Sequence, residues 1–159
     1  MRQLLTAVLL DTVSIQKYIF ISNRLKDNLG ASHIVKSIYK EPLIKALSSV
    51  FNKAENVIIN IVNKWHELND KTINDGDEFG VGYIGGGNAL LFFRNTDDAK
   101  KFVSEWSRLL LIEAPGLQTA VSIKEDVDLT ENFQSSINDI YKQLVKNKSK
   151  FHPILHFAL

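Results

Sequence analysis

Three successive glycines and an asparagine, Gly85-Gly86-Gly87-Asn88, interrupt an otherwise apolar stretch that runs from Gly82 to Phe93. Glycine and asparagine tolerate positive φ, so this run can reverse the chain where other side chains would clash. With apolar residues on both sides it predicts a β-hairpin. A tight turn commonly needs a single glycine. Three in a row also fit a surface kept clear of side chains, open to another backbone or a ligand, and local chemistry leaves the plain turn and the open surface as alternatives.

The hairpin needs partners, and the chain can supply one core for them. With 159 residues, 45% of them hydrophobic, a single domain spanning 1–159 is expected. A formal net charge of +1 argues against binding nucleic acid or anionic lipid by bulk electrostatics. The absence of cysteine removes disulfides and thiolate metal sites, and the four histidines are too scattered to suggest zinc. The apolar run Leu4 to Leu10 is too short to span a bilayer and no small-residue cleavage site follows it. No membrane partner is expected, and a cytoplasmic location is.

The run from Gln3 to Leu10 reads as a central strand covered on both faces, with Asp11 at its C-terminal end. Thr12 or Ser14 is then placed to cap a short helix carrying Ile15, Tyr18 and Ile19. From Ala31, the residues Ile34, Val35, Ile38, Leu43, Leu47, Val50 and Phe51 approximate a helical stripe that Pro42 should bend or restart. The β-branched run Asn56 to Val62 reads as a strand of uncertain place, with the tail of a helical segment as the alternative. Residues 63–79 read as a loop or insertion before the hairpin, with Trp65 as its anchor.

Beyond the hairpin, Thr96 is the expected N-cap of a helix whose buried stripe is Ala99, Phe102, Val103, Trp106, Leu109 and Leu110, ended by Pro115-Gly116. Leu117 to Ile123 alternates like a strand with one covered face. Thr130 should open a C-terminal helix carrying Phe133, Ile137, Ile140, Tyr141, Leu144 and Val145 on one side. The apolar end, His152 to Leu159, is either an extra strand or the edge of a longer protein.

Without its insertion this order is strand, helix, strand, strand, helix, strand: an α+β, ferredoxin-like βαββαβ antiparallel sheet with helices on one face, plus the C-terminal helix. Right-handed crossovers put the first strand beside the hairpin, so Asp11 and the turn Gly85 to Asn88 should meet at one exposed face.

Asp11-Thr12-Val13-Ser14-Ile15-Gln16-Lys17-Tyr18-Ile19-Phe20, Ser22-Asn23-Arg24-Leu25-Lys26, Gly30-Ala31-Ser32 and Tyr83-Ile84-Gly85-Gly86-Gly87-Asn88-Ala89-Leu90-Leu91-Phe92 together resemble the palm domains of the large subunit of type III CRISPR effector complexes. The likeness spans roughly Leu4 to Ile123 and is strongest to the first, degenerate palm. More distantly, the residues resemble GGDEF and class III nucleotide cyclases. The resemblance implies nucleoside triphosphate binding, antiviral defence and, in active palms, cyclic oligoadenylate synthesis with two divalent metals. Such metals need carboxylates, and active relatives carry Gly-Gly-Asp-Asp or Gly-Gly-Asp-Glu at the hairpin. This chain has Gly85-Gly86-Gly87-Asn88 instead. Asp75-Gly76-Asp77-Glu78-Phe79 resembles the cyclase signature but lacks the preceding apolar strand.

The resemblance therefore implies a half-site, catalytically incomplete alone, that binds ATP or another nucleoside triphosphate and acts with a second palm domain in trans or as a homodimer. A CRISPR complex, or RNA through it, is the wider partner implied. Gly85, Gly86, Gly87, Asn88, Asn23 and Ser32 are the nucleotide-binding candidates, Asp11 is the metal candidate and Mg2+ the candidate ion; no catalytic residue is assigned. Each of these residues also has an ordinary role in a turn or cap. The alternative is a non-enzymatic assembly or dimerisation module that has lost nucleotide binding.

Overall fold

A computed structural model describes residues 4–13, 30, 33–34, 37–63, 77–85, 87–128, 135 and 137–147. Strand β1, Leu4–Val13, is the spine. It pairs antiparallel with β3, Asn88–Phe93, on one side and with β4, Gln118–Asp128, on the other. Strand β2, Phe79–Ile84, closes the hairpin with β3, and the sheet order is β2-β3-β1-β4. The α+β, βαββαβ order expected from the apolar patterning is the one observed.

Alternation along β1 divides the core. Val8 and Leu10 face a large cluster with Ala89, Leu91 and Phe93 of β3, whereas Leu5, Ala7 and Leu9 face a smaller one with Leu90, Phe92, Ala120 and Val127. Three helices cover the first face: α1, Glu41–Phe51, α2, Glu55–Asn63, and α3, Thr96–Glu113. A further helix over residues 137–147, α4, lies on the second face and buries Ile140 and Leu144 there. The large cluster is rich in rings: Phe79 stacks on Phe51 at 5.1 Å between centroids, and Phe93 meets Phe102 at 5.4 Å. Each such side chain, fully buried, is worth about 1.5–3 kcal/mol of transfer free energy.

Pro42 does restart the helix. Residues 38–40 form a turn, and α1 begins with Pro42 in its first turn, where its missing N–H costs nothing. Asn52 ends α1 in the left-handed region, φ 50°, with its N–H bonded to the Ser48 carbonyl.

Four sequence expectations are corrected. Asn56 to Val62 is not a strand; it lies in α2, because Ile58 and Val62, four apart, are both buried on one helical stripe while Val57 and Ile59 stay exposed. Asp11 does not end β1, which continues to Val13, so Thr12 is a buried strand residue and not a helix cap. The cap of α3 is Asn95, one residue earlier than expected, and its side chain accepts the Asp97 N–H at 2.8 Å. Tyr141 and Val145 are exposed, so the buried stripe of α4 is narrower than its apolar content suggested. Ser14, Trp65, Thr130, Phe133 and the segment His152 to Leu159 lie outside the described residues.

Replacing Asn95 by alanine removes that cap and should cost about 1 kcal/mol in a urea unfolding titration. An unchanged midpoint would show that α3 starts without side-chain help.

Candidate functional site

The hairpin turn is built on two backbone bonds, Gly85 N–H to the Asn88 carbonyl at 2.8 Å and Gly87 N–H to the Gly85 carbonyl at 3.0 Å. Gly87 holds φ at 114°, a region L side chains rarely adopt, so glycine is required there on backbone grounds. Gly85 has a close neighbour instead: a Cβ there would stand 2.7 Å from Asn88 Oδ1, so the Asn88 side chain would have to shift. Further down the hairpin, the pairing slips between Val81 and Tyr83, leaving Gly82 as a bulge residue whose Cβ would press on Phe92 Cε2 at 2.9 Å.

Strand β1 meets this turn from the side. Asp11 pairs directly with Asn88, and the next residue, Thr12, gives both its N–H (3.0 Å) and its Oγ1 hydroxyl (2.6 Å) to the Gly87 carbonyl. Thr12 Oγ1 has one proton, engaged by Gly87, so the Tyr39 hydroxyl donates to Thr12 Oγ1 at 3.0 Å. Tyr39 is buried, 2% exposed, in the turn before α1. Burial pushes its phenol well above the ordinary range, with the charge of Asp11 acting in the same direction. Its ring lies 5.8 Å from that of Trp106, whose indole N–H donates to the Ile38 carbonyl. A continuous line of contacts therefore runs from α3 through the 38–40 turn and Thr12 to the hairpin.

Strand alternation puts Asp11 and Asn88 on the second face, the one crossed by α4. Asp11 Oδ1 accepts the Thr12 N–H at 2.8 Å. Tyr83, which packs on the same face, shares a 2.7 Å hydroxyl bond with Tyr141 of α4. Burial raises the Tyr83 phenol, and the bond to Tyr141 and the Asp11 charge add to it. Lys124 to Asp139 at 3.1 Å and Asn147 Nδ2 to the Val121 carbonyl at 2.6 Å also tie α4 to β4.

Of the residues singled out by sequence, Asp11, Gly85, Gly87 and Asn88 come together. Asn23, Ser32 and Gly86 lie outside the described residues. The face is less open than expected: Gly85 is exposed, Asp11 and Asn88 are half-buried and Gly87 is buried. Thr12, Tyr39, Tyr83 and Tyr141 were missed as parts of this site. Only the Tyr-x-Gly-Gly spacing hinted at one of them, Tyr83.

A pair of magnesium ions needs several carboxylate or phosphate oxygens. Among the described residues, no three His, Cys, Asp or Glu side chains gather, and at the hairpin Asn88 stands as the amide neighbour of Asp11. The donor set offered by these residues does not fit a magnesium pair held by the protein itself.

No protein-family model matches the sequence, and no curated protein does. Solved structures do match. The Csm1-Csm4 cassette in complex with cA3 aligns with a TM-score of 0.67 at 13% identity, over 92% of this chain and 19% of that one. The same cassette in complex with one ATP gives 0.66 at 14% identity, over 92% and 19%. Csm1 from T. onnurineus gives 0.66 at 13% identity, over 92% and 20%. The chain thus spans about a fifth of the length of the structures it matches. No helix among the described residues is long and apolar enough to cross a membrane. The fold of this chain is the one found in part of Csm1, the large subunit of type III CRISPR complexes.

Proposed function

We propose that the chain is a CRISPR-type palm domain that binds a nucleoside triphosphate at the hairpin face and is catalytically incomplete alone. The observation that carries this reading is the pairing of Asp11 with Asn88 beside a turn of glycines. Strand register sets the carboxylate of Asp11 across from the amide of Asn88, which supports the reading of a metal site with part of its carboxylates. The ATP and cA3 complexes of the Csm1-Csm4 cassette support ATP as the ligand class.

The chemistry follows from the donors present. The exposed surface at Gly85 lets a ribose or phosphate come close without a side chain between, while the Gly85 N–H and carbonyl stay engaged within the turn. Magnesium carried in by the triphosphate would meet one carboxylate here, Asp11. Aligning an attacking hydroxyl needs further ligands, which a second palm facing this hairpin would supply. A second copy of this chain or a different palm could fill that role, within a CRISPR complex.

ATP with magnesium should raise the melting temperature of the 159-residue chain, since a ligand that binds only the folded state stabilises it. At a free concentration near 100 times the dissociation constant the gain is about 2.7 kcal/mol. Asp11→Asn should reduce the magnesium-dependent part, and product analysis should find no cyclic or linear oligonucleotide. The absence of any ATP-dependent shift would leave the assembly-module reading in its place. Robust turnover abolished by Asp11→Ala would refute the incomplete half-site.

A further inference from the structure

The side-chain bond between Tyr83 and Tyr141 is separate from the backbone pairing of the hairpin, yet it stands on the same sheet face as Asp11 and Asn88. Tyr141 is 40% exposed, while Ile140 beside it and Leu144 one turn on are buried under α4. Ile140 and Leu144 thus supply the buried apolar contact of the helix, and Tyr141 adds a hydroxyl bond while part of its ring stays exposed. Val145, four residues on and on the same side of the helix, is 65% exposed and continues an apolar surface. The hydroxyl bond to Tyr83 holds the ring of Tyr141 towards β2, at the hairpin edge of the sheet. A rigid aromatic side chain, anchored at its polar tip and left open, is suited to a flat π-system.

Resting on the nucleotide reading above, we propose that Tyr141 is the stacking wall for the base of the bound nucleoside triphosphate, with Tyr83 as the residue that positions it. Phosphates belong at the Asp11 and Gly85 end, and the base lies towards α4. Stacking on an aromatic ring tolerates any base, so Tyr141 supplies affinity for the nucleoside and little discrimination among bases. The C-terminal helix, which the βαββαβ core does not need to complete its sheet, thereby becomes part of the ligand site.

The test compares ATP with inorganic tripolyphosphate, each with magnesium, by equilibrium titration of wild type, Tyr83→Phe, Tyr141→Phe, Tyr141→Leu and Tyr141→Ala. Tyr141→Ala and Tyr141→Leu should weaken ATP roughly ten-fold and leave tripolyphosphate unchanged, because only the nucleotide has a base to stack. Tyr141→Phe keeps the ring but loses the hydroxyl that Tyr83 holds, so it should weaken ATP by an intermediate amount, about three-fold. Tyr83→Phe should match it, and wild-type affinity in both would overturn the positioning role of Tyr83. Tyr141→Leu keeps apolar bulk on the helix, and unliganded melting midpoints near wild type for it and for Tyr141→Phe establish that α4 still docks. Wild-type affinity for ATP in Tyr141→Ala overturns the stacking wall while leaving nucleotide binding intact. Equal losses for both ligands overturn it as well, by assigning Tyr141 a general role in shape. Failure of wild type to bind either ligand overturns the nucleotide reading and this inference together.

Discussion

Trp106→Ala should remove about 4 kcal/mol of folding free energy, the largest single loss expected in this chain. Trp106 is fully buried at the centre of the larger core, on the face of α3 that meets the 38–40 turn. Truncation leaves a cavity that α1 and α3 cannot both close over, because each is already anchored by its own buried stripe. It also orphans the Ile38 carbonyl, which accepts the indole N–H, and takes away the ring beside Tyr39. Set against a typical total of about 5–15 kcal/mol, such a loss is a large fraction of the whole.

The consequence should reach the hairpin. Tyr39 donates to Thr12, and Thr12 holds Gly87 through two bonds, so a loosened 38–40 turn loosens the support of the candidate site. Leu110→Ala is the fitting comparison, since Leu110 is buried in the same cluster but takes no part in that line. Urea titrations should show both variants destabilised, with Trp106→Ala the greater. ATP titrations at low temperature, where both remain folded, should show weakening confined to Trp106→Ala. A loss under about 1 kcal/mol for Trp106→Ala would mean that the core collapses around the gap and that the ring is not structurally central.

The meeting of Asp11 with the hairpin turn was legible in the sequence because it depends on few things: two apolar runs joined by glycines, one central strand and the handedness of crossovers. Burial stripes of α3 were legible for the same reason, as Ala99, Phe102, Trp106 and Leu110 repeat at helical spacing and all are buried. Segment Asn56 to Val62 was misread because β-branched composition outweighed the four-residue spacing of Ile58 and Val62, which tertiary contact rewards. What sequence could not supply was the second layer of the site. Tyr39 falls outside the apolar stripe of residues Ile34 to Phe51 and carries no signal of its own, and Thr12 looks like a cap. Their roles emerge only when β1 runs two residues past Asp11 and delivers Thr12 to the Gly87 carbonyl. Nor does periodicity say which sheet face α4 crosses, so Tyr141 and Tyr83 meet through topology alone.

Introducing carboxylates at the hairpin should separate positions 87 and 88 sharply. Asn88→Asp is nearly isosteric, at a half-buried residue with ordinary strand pairing opposite Asp11. Like charges directly across an antiparallel pair cost about 0.2–1 kcal/mol, so the variant should fold, slightly weakened. Magnesium with ATP should then stabilise it more than wild type, because the added charge serves a cation that the triphosphate brings. Gly87→Asp should behave otherwise. Its backbone sits at φ 114°, the residue is buried, and its carbonyl is pinned by Thr12. A side chain there is strained by about 1–3 kcal/mol before the new carboxylate is desolvated, which adds to the penalty. Gly87→Ala isolates the strain, since it adds a Cβ and no charge. Melting curves should rank wild type above Asn88→Asp, then Gly87→Ala, then Gly87→Asp, with ATP and magnesium rescuing only the Asn88 variant. If Gly87→Asp melts with wild type, the turn is free to change its backbone, and the fold readily accepts a carboxylate at that position. The ranking expected here means instead that the turn has settled into a glycine-dependent shape locked to Thr12 and Tyr39. One aspartate in the Asn88 position would then add a second carboxylate for a cation beside Asp11, while position 87 stays closed to one.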